Sequence, residues 1–171
     1  MKKILLVLLI AVSAIAHSQI RIPGTNVTFN FPDKNWSYLK TMEVDDNTNI
    51  YVYINTGQTV IDQNNDTVIP FLRILVKKNC TESTFELAYS RFILQPFQSM
   101  NEYYDGIPGE NGLGYVGAYH SNTDQKNYQF RMIYFKDRNI CLEMRLETTS
   151  DTYAQFDKTF TDILNTVTIE K

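Results

Sequence analysis

Apolar residues recur along this chain at two spacings, and the change from one to the other marks out its elements. Val27, Phe29 and Phe31 alternate with Thr28 and Asn30 until Pro32 stops the run, which predicts a strand. Ile50 to Ile54 repeats the pattern, with Tyr51 and Tyr53 on one face and Ile50, Val52 and Ile54 on the other. Thr59 to Asp62 and Thr67 to Lys77 are two more strand-like runs, separated by Gln63, Asn64, Asn65 and Asp66. Those residue types tolerate left-handed backbone, so the interruption predicts a hairpin turn.

After Cys80 the period lengthens. Ser83 and Glu86 have the spacing of a capping box, in which each side chain satisfies an amide at the other's position. Phe85, Ala88, Tyr89 and Phe92 then fall at helical intervals and predict a buried stripe, ended by Pro96. Asn101 to Leu113 holds three Gly and one Pro without periodicity, which predicts a surface loop. Tyr128, Phe130, Met132 and Tyr134 alternate strictly, Asp137 to Asn139 turns the chain, and Ile140, Leu142, Met144 and Leu146 alternate with Cys141, Glu143, Arg145 and Glu147. The second strand thus predicts one apolar face and one charged face, as in an antiparallel strand packed on one side. From Asp151 or Thr152, Tyr153, Phe156, Phe160, Ile163, Leu164 and Val167 form an amphipathic helical stripe that predicts packing on the sheet's apolar face, with Thr166 to Glu170 as a last short strand. The whole reads as α+β, an antiparallel sheet packed with helices.

The first residues add a destination. Lys2 and Lys3, an apolar run from Ile4 to Val12, and small residues up to Ser18 have the three-part layout of a secretory signal. The run is shorter than the roughly 20 apolar residues of a spanning helix. Cleavage after Ala16 or after Ser18 fits, and no cysteine stands near the junction to carry a lipid. The expectation is a signal peptide over residues 1–18 and an exported single domain over 19–171, periplasmic or extracellular, neither membrane-spanning nor a lipoprotein.

Removing Lys2 and Lys3 from the 16 basic residues leaves 14 against 19 acidic ones, a net charge of −5. That balance, without basic runs interleaved with aromatics, argues against nucleic acid as a partner. Export permits a disulfide between the two cysteines, Cys80 and Cys141, and the sequence leaves open whether they pair or stay as free thiols.

A strand ending in FNFPDKNW near the start of the exported chain, a central helix, a long antiparallel hairpin and a C-terminal FDKTFTDILNTVTI resemble the PsbP-like family, whose fold is shared with the Ran-binding Mog proteins. The resemblance covers most of residues 19–171 and implies one PsbP-like domain, an α/β sandwich around an antiparallel sheet, used mainly as a noncatalytic binding or accessory module. It assigns no role to any particular residue here.

Candidate chemistry is sparse. Asp62, Asn64 and Asp66 have the alternation that opens many calcium loops, but Thr67 stands where an EF-hand needs glycine and Arg73 where it needs a bidentate glutamate. A looser calcium turn and a plain hairpin turn remain as the two readings, the second requiring backbone preference alone. His120 is the one histidine clear of the cleavage region, which rules out a multi-histidine zinc site, and a triad with Ser121 or Asp124 is not established by closeness in sequence. Gly109, Gly112, Gly114 and Gly117 run into a strand, whereas a phosphate-binding loop opens a helix. No cofactor is implied.

Two binding candidates follow. One is the loop carrying Tyr103, Tyr104 and Asp105, since long loops often carry function and tyrosine supplies contact area at low entropic cost. The other is the charged strand set Arg73, Arg131, Glu143, Arg145 and Glu147, able to hold an anionic group or to neutralise itself. The functional expectation is an exported, noncatalytic module acting on an envelope or secreted protein partner. The alternatives are a small-ligand carrier with a pocket between sheet and helix, and an unrecognised hydrolase.

Overall fold

The computed structural model describes residues 19–57, 60–94, 97–103, 107–109 and 111–170. The elements are β1 (Ile20–Arg21), β2 (Val27–Phe29), β3 (Trp36–Asp45), β4 (Thr48–Asn55), β5 (Val60–Ile61), β6 (Thr67–Val68), β7 (Phe71–Lys77), α1 (Thr84–Leu94), β8 (Phe97–Tyr103), β9 (Leu113–Ser121), β10 (Lys126–Asp137), β11 (Ile140–Thr149), α2 (Tyr153–Asn165) and β12 (Thr168–Ile169). Seven strands form one antiparallel sheet in the order β3-β4-β7-β11-β10-β9-β8, and β1, β2 and β12 form a small second sheet. The result is a β-rich α+β fold.

The alternation along β10 and β11 places their two faces. Phe135 pairs with Leu142 and Ile133 with Met144, so these side chains share one face, while Met132 pairs with Arg145 and Phe130 with Glu147 on the other. Helix α2 crosses the first face over β10 and β11 and buries Tyr153, Phe156, Phe160, Ile163 and Leu164. Ile22, just after β1, and Val27 and Phe29 of β2 enter the same core. Each such large side chain contributes about 1.5–3 kcal/mol by leaving water. Phe156 and Phe160 share this buried cluster with Ile74, Leu142 and Met144.

Helix α1 covers the second face over β9 and β10, burying Leu87 and Ala88 with Tyr115, Met132 and Tyr134. This corrects the expectation that β11 is packed on one side only: from Cys141 to Thr149 every residue is buried. Cys80 and Cys141 are joined beneath α1, with Cα atoms 5.7 Å apart, so the bond ties the chain beyond β7 to the start of β11. A cross-link closing 61 residues restricts the unfolded chain enough to stabilise by about 4 kcal/mol.

Helix α1 begins where its capping box places it, with Ser83 N donating to Glu86 Oε2 (2.7 Å) and Glu86 N to Ser83 Oγ (3.1 Å). Its orientation differs from the expected one. Thr84, Leu87 and Ala88 face the sheet and Phe92 is half-buried against it, whereas Phe85 and Tyr89 remain 64% and 57% exposed. Both stripes obey helical spacing. Ala88 and Phe92 belong to both, Leu87 joins them against Met132 and Tyr134, and Phe85 and Tyr89 stack on each other instead.

Two edge strands went unforeseen. Strand β8 takes in the first residues of the expected Asn101–Leu113 loop. Strand β3 is exposed along most of its length and shifts register at Leu39 and Val44, which disrupts its alternation. The expected signal peptide, the Pro96 helix stop, and Tyr104 and Asp105 lie outside the described residues.

Candidate functional site

The charged strand residues divide between the two sheet faces. Arg73 and Arg145 stand directly opposite each other on β7 and β11, a cross-strand like-charge pair that needs a mediator. Glu147 supplies it: its Oε2 lies 3.5 Å from Arg73 Nη2 and pairs with Arg145 Nε, and its Oε1 accepts a hydrogen bond from the Tyr119 hydroxyl at 3.0 Å. The Arg145 guanidinium carbon lies 4.7 Å from the ring centroids of both Tyr119 and Phe130, so aromatic faces replace water around the charge. Glu143 continues the row.

Arg145 and Glu147 are both 1% exposed, and Glu143 is 4% exposed. Two arginines and two glutamates leave the row neutral within the interior. Burial and then the Glu147 charge push the Tyr119 hydroxyl above its ordinary range. Burial works against the charged form of Arg73, but Glu147 and Glu143 outweigh it and hold the guanidinium above its usual value.

Arg131 belongs to the opposite face. Its Nη2 lies 2.9 Å from Asp157 Oδ1 on α2, and its guanidinium carbon lies 5.2 Å from the centre of the Tyr103 ring. Tyr103, expected on an exposed loop, instead ends β8 and packs against the core, its hydroxyl donating to Met132 O at 3.3 Å. Burial pushes that hydroxyl up to about 12. Gly114 makes room for it, since a Cβ there would come within 2.6 Å of the Tyr103 ring. The Tyr103 ring is thus partly buried against the core at the end of β8, and the structure does not bring Arg131 to Arg73 and Arg145.

The DQNNDT segment is the tip of the β5–β6 hairpin. Asp62 Oδ1 accepts from the amides of Asn64 (2.8 Å) and Asp66 (2.9 Å), and Asn65 takes the left-handed conformation at φ 65°. The centre of the turn holds an ammonium: Lys126 Nζ lies 2.7 Å from Asp62 Oδ2 and 2.8 Å from Asp66 Oδ2. The Lys126 hydrogen bond, followed by the Asp66 amide, holds the Asp62 carboxyl below its ordinary range. The two carboxylates raise Lys126 in turn.

His120 pairs through Nδ1 with Asn127 Oδ1 (3.0 Å) across the β9–β10 hairpin, while Asp124 accepts from the Tyr128 hydroxyl (2.5 Å). The imidazole and carboxylate are thus directed to different partners, an arrangement that assembles no triad. The glycine-rich segment runs into β9, where a Cβ at Gly117 would come within 2.4 Å of Ser99 O. Close approach of β8 therefore explains that glycine without a phosphate.

The surface feature that sequence reasoning missed is the outer side of α1. Phe85 and Tyr89 present nearly parallel rings there, 12° apart in plane with centroids at 6.2 Å. Their four-residue spacing shows in the sequence, but it counted them into the buried stripe.

No family model matches the sequence, and no curated protein sequence matches it. Among solved structures, the fold is similar to that of LpqN, described as involved in cell envelope biogenesis of Mycobacterium tuberculosis, with 15% sequence identity, a TM-score of 0.54 and 90% of each chain covered. That likeness establishes a shared fold over nearly the whole chain, and no described helix is long and apolar enough to cross a membrane.

Proposed function

We propose that this chain is an exported, noncatalytic accessory module of PsbP-like build that acts through protein contacts, with the outer face of α1 as its contact surface. The observation that carries the reading is the stacked pair Phe85 and Tyr89, 64% and 57% exposed on a helix whose opposite side is fixed to the sheet. Aromatic side chains held on a rigid helix make efficient interface anchors, because they bury large areas while losing little rotamer freedom. The signal-like first 18 residues support export, and the fold shared with an envelope-biogenesis protein is compatible with an envelope role. Cys80 joined to Cys141 suits an oxidising compartment.

The contact surface is proposed on the helix rather than at Tyr103, which packs against the core, while Tyr104 and Asp105 lie outside the described residues. The test is crosslinking in the native cell with the parent chain and with a Phe85→Ser/Tyr89→Ser variant, followed by mass spectrometry of the attached protein. A recurrent partner lost in the variant, with the melting temperature kept, is the expected result. Equal capture by both chains rejects α1 as the surface.

A further inference from the structure

A polar hollow of about 290 Å³ opens where three turns distant in sequence converge: the turn after β5, the turn into β10 and the link from β11 to α2. None of its lining residues belongs to α1. Bonds between the turns fix its walls. Gln63 N donates to Asp151 Oδ2 at 2.6 Å, Ser150 N donates to Asn127 O at 2.8 Å, and Lys126 spans Asp62 and Asp66. A site held in this way loses little freedom when a ligand enters.

The lining selects a chemical class. Gln63, Asn64, Gln125 and Asn127 bring side-chain amides, Ser150 a hydroxyl and Asp151 a carboxylate, which set donors beside acceptors. No apolar residue is among the lining, so a greasy ligand has nothing to bury against. An anion would meet Asp62 and Asp151 against the single charge of Lys126. A cation would find the focus between Asp62 and Asp66 taken by the Lys126 ammonium. A neutral molecule with adjacent hydroxyls, each able to donate to a carboxylate and accept from an amide, satisfies every one of these conditions.

Gln125 stands in a strained hairpin turn, as Arg138 does at φ 58° in the β10–β11 turn. It holds the left-handed conformation at φ 59°, where glycine or asparagine is at home and a long side chain costs about 1–2 kcal/mol. Its side chain lines the hollow, with Nε2 donating to Asn122 O of its own turn at 2.9 Å. The volume is near the lower limit for ligand pockets, room for one ring. We propose that this hollow binds one saccharide ring, either a free monosaccharide or the terminal residue of a glycan.

Side-chain amide signals of the ¹⁵N-labelled protein test the proposal. The probes are D-glucose, D-galactose, D-mannose and N-acetyl-D-glucosamine, each as free sugar and as methyl glycoside. Each is raised to about 50 mM, enough to saturate a millimolar site, with glycerol as the acyclic control. The expected result is saturable shifts at Gln63, Asn64, Gln125 and Asn127 with at least one probe, weakened about tenfold or more in a Gln125→Gly/Asn64→Ala variant. That variant should melt no lower than the parent, because glycine relieves the strained turn. A single Gln125→Gly change gives the same readout should the pair not fold. Preference for the free sugar identifies a monosaccharide as the source, and preference for the glycoside identifies a glycan end. Shifts absent with every probe, shared with glycerol, or unchanged in the variant overturn the proposal. The Phe85→Ser/Tyr89→Ser chain should bind sugar like the parent, which separates this site from the α1 contact.

Discussion

On one face of β11, Leu142, Met144 and Leu146 meet the aromatic stripe of α2. On the other, Glu143, Arg145 and Glu147 lie just as deep among Tyr119, Phe130 and Arg73. The two faces hold one strand in the interior by unlike physics. Apolar packing is graded, since each methylene removed takes away its own area and leaves a small void. The ionic row is interdependent, since its charges stay in a poorly solvating interior only while each has its counterpart. A buried charge row is therefore no stronger than an apolar one when complete, but more fragile when one member is lost.

The largest test of this contrast is Glu147→Ala, which removes the acceptor shared by Arg73, Arg145 and Tyr119. It should cost about 3–5 kcal/mol in urea unfolding, and the Glu147→Leu/Arg145→Met pair should cost less than that single change. A loss under about 1 kcal/mol for Glu147→Ala would show that the row is solvated after all. Next comes Leu142→Ala on the apolar face, expected to cost about 3 kcal/mol with no recovery from a second truncation beside it.

The smallest effect belongs to the exposed end of the sheet. Lys126→Met leaves Asp62 and Asp66 without their cation, so the melting temperature at neutral pH should fall. Because the folded carboxyl of Asp62 is depressed below its ordinary 3.8, its contribution is complete above that pH and is lost as acid passes through the folded value. The gap between parent and variant should therefore be widest near neutrality and close in strong acid. Millimolar calcium should raise the melting temperature of the variant more than that of the parent, if the ammonium stands where a metal could. A gap that does not vary with pH would assign the loss to packing.

Much of the fold was legible because burial on one side enforces a period. The alternation from Tyr128 to Leu146 gave the central hairpin, the three-and-four spacing from Tyr153 to Val167 gave α2, and Ser83 with Glu86 gave the start of α1. Strand β3 was not legible, because an exposed edge has no apolar face to enforce alternation and register shifts at Leu39 and Val44 disturb what remains. The outward turn of Phe85 and Tyr89 was hidden for the opposite reason: α1 carries two stripes of equal period, and only its contact with Met132 and Tyr134 chooses between them. The charges of β11 read as a solvated face, because nothing local announces that the rings of Tyr119 and Phe130 enclose Arg145. The hollow was beyond reach, since its walls come from three turns that meet only after folding.

The pairing of β7 with β11 also sets a timetable. Strands β3, β4 and β7 are adjacent early in the chain, yet the inner edge of β7 finds its partner only when Lys77 meets Cys141 and Phe71 meets Glu147. Contacts this distant along the chain are slow to form, because a long loop must close before any pairing repays it. A chain emerging from its amino end thus carries a half-sheet whose β7 edge stays bare until its last third arrives. That delay marks β7 as the strand most in need of protection until β11 arrives.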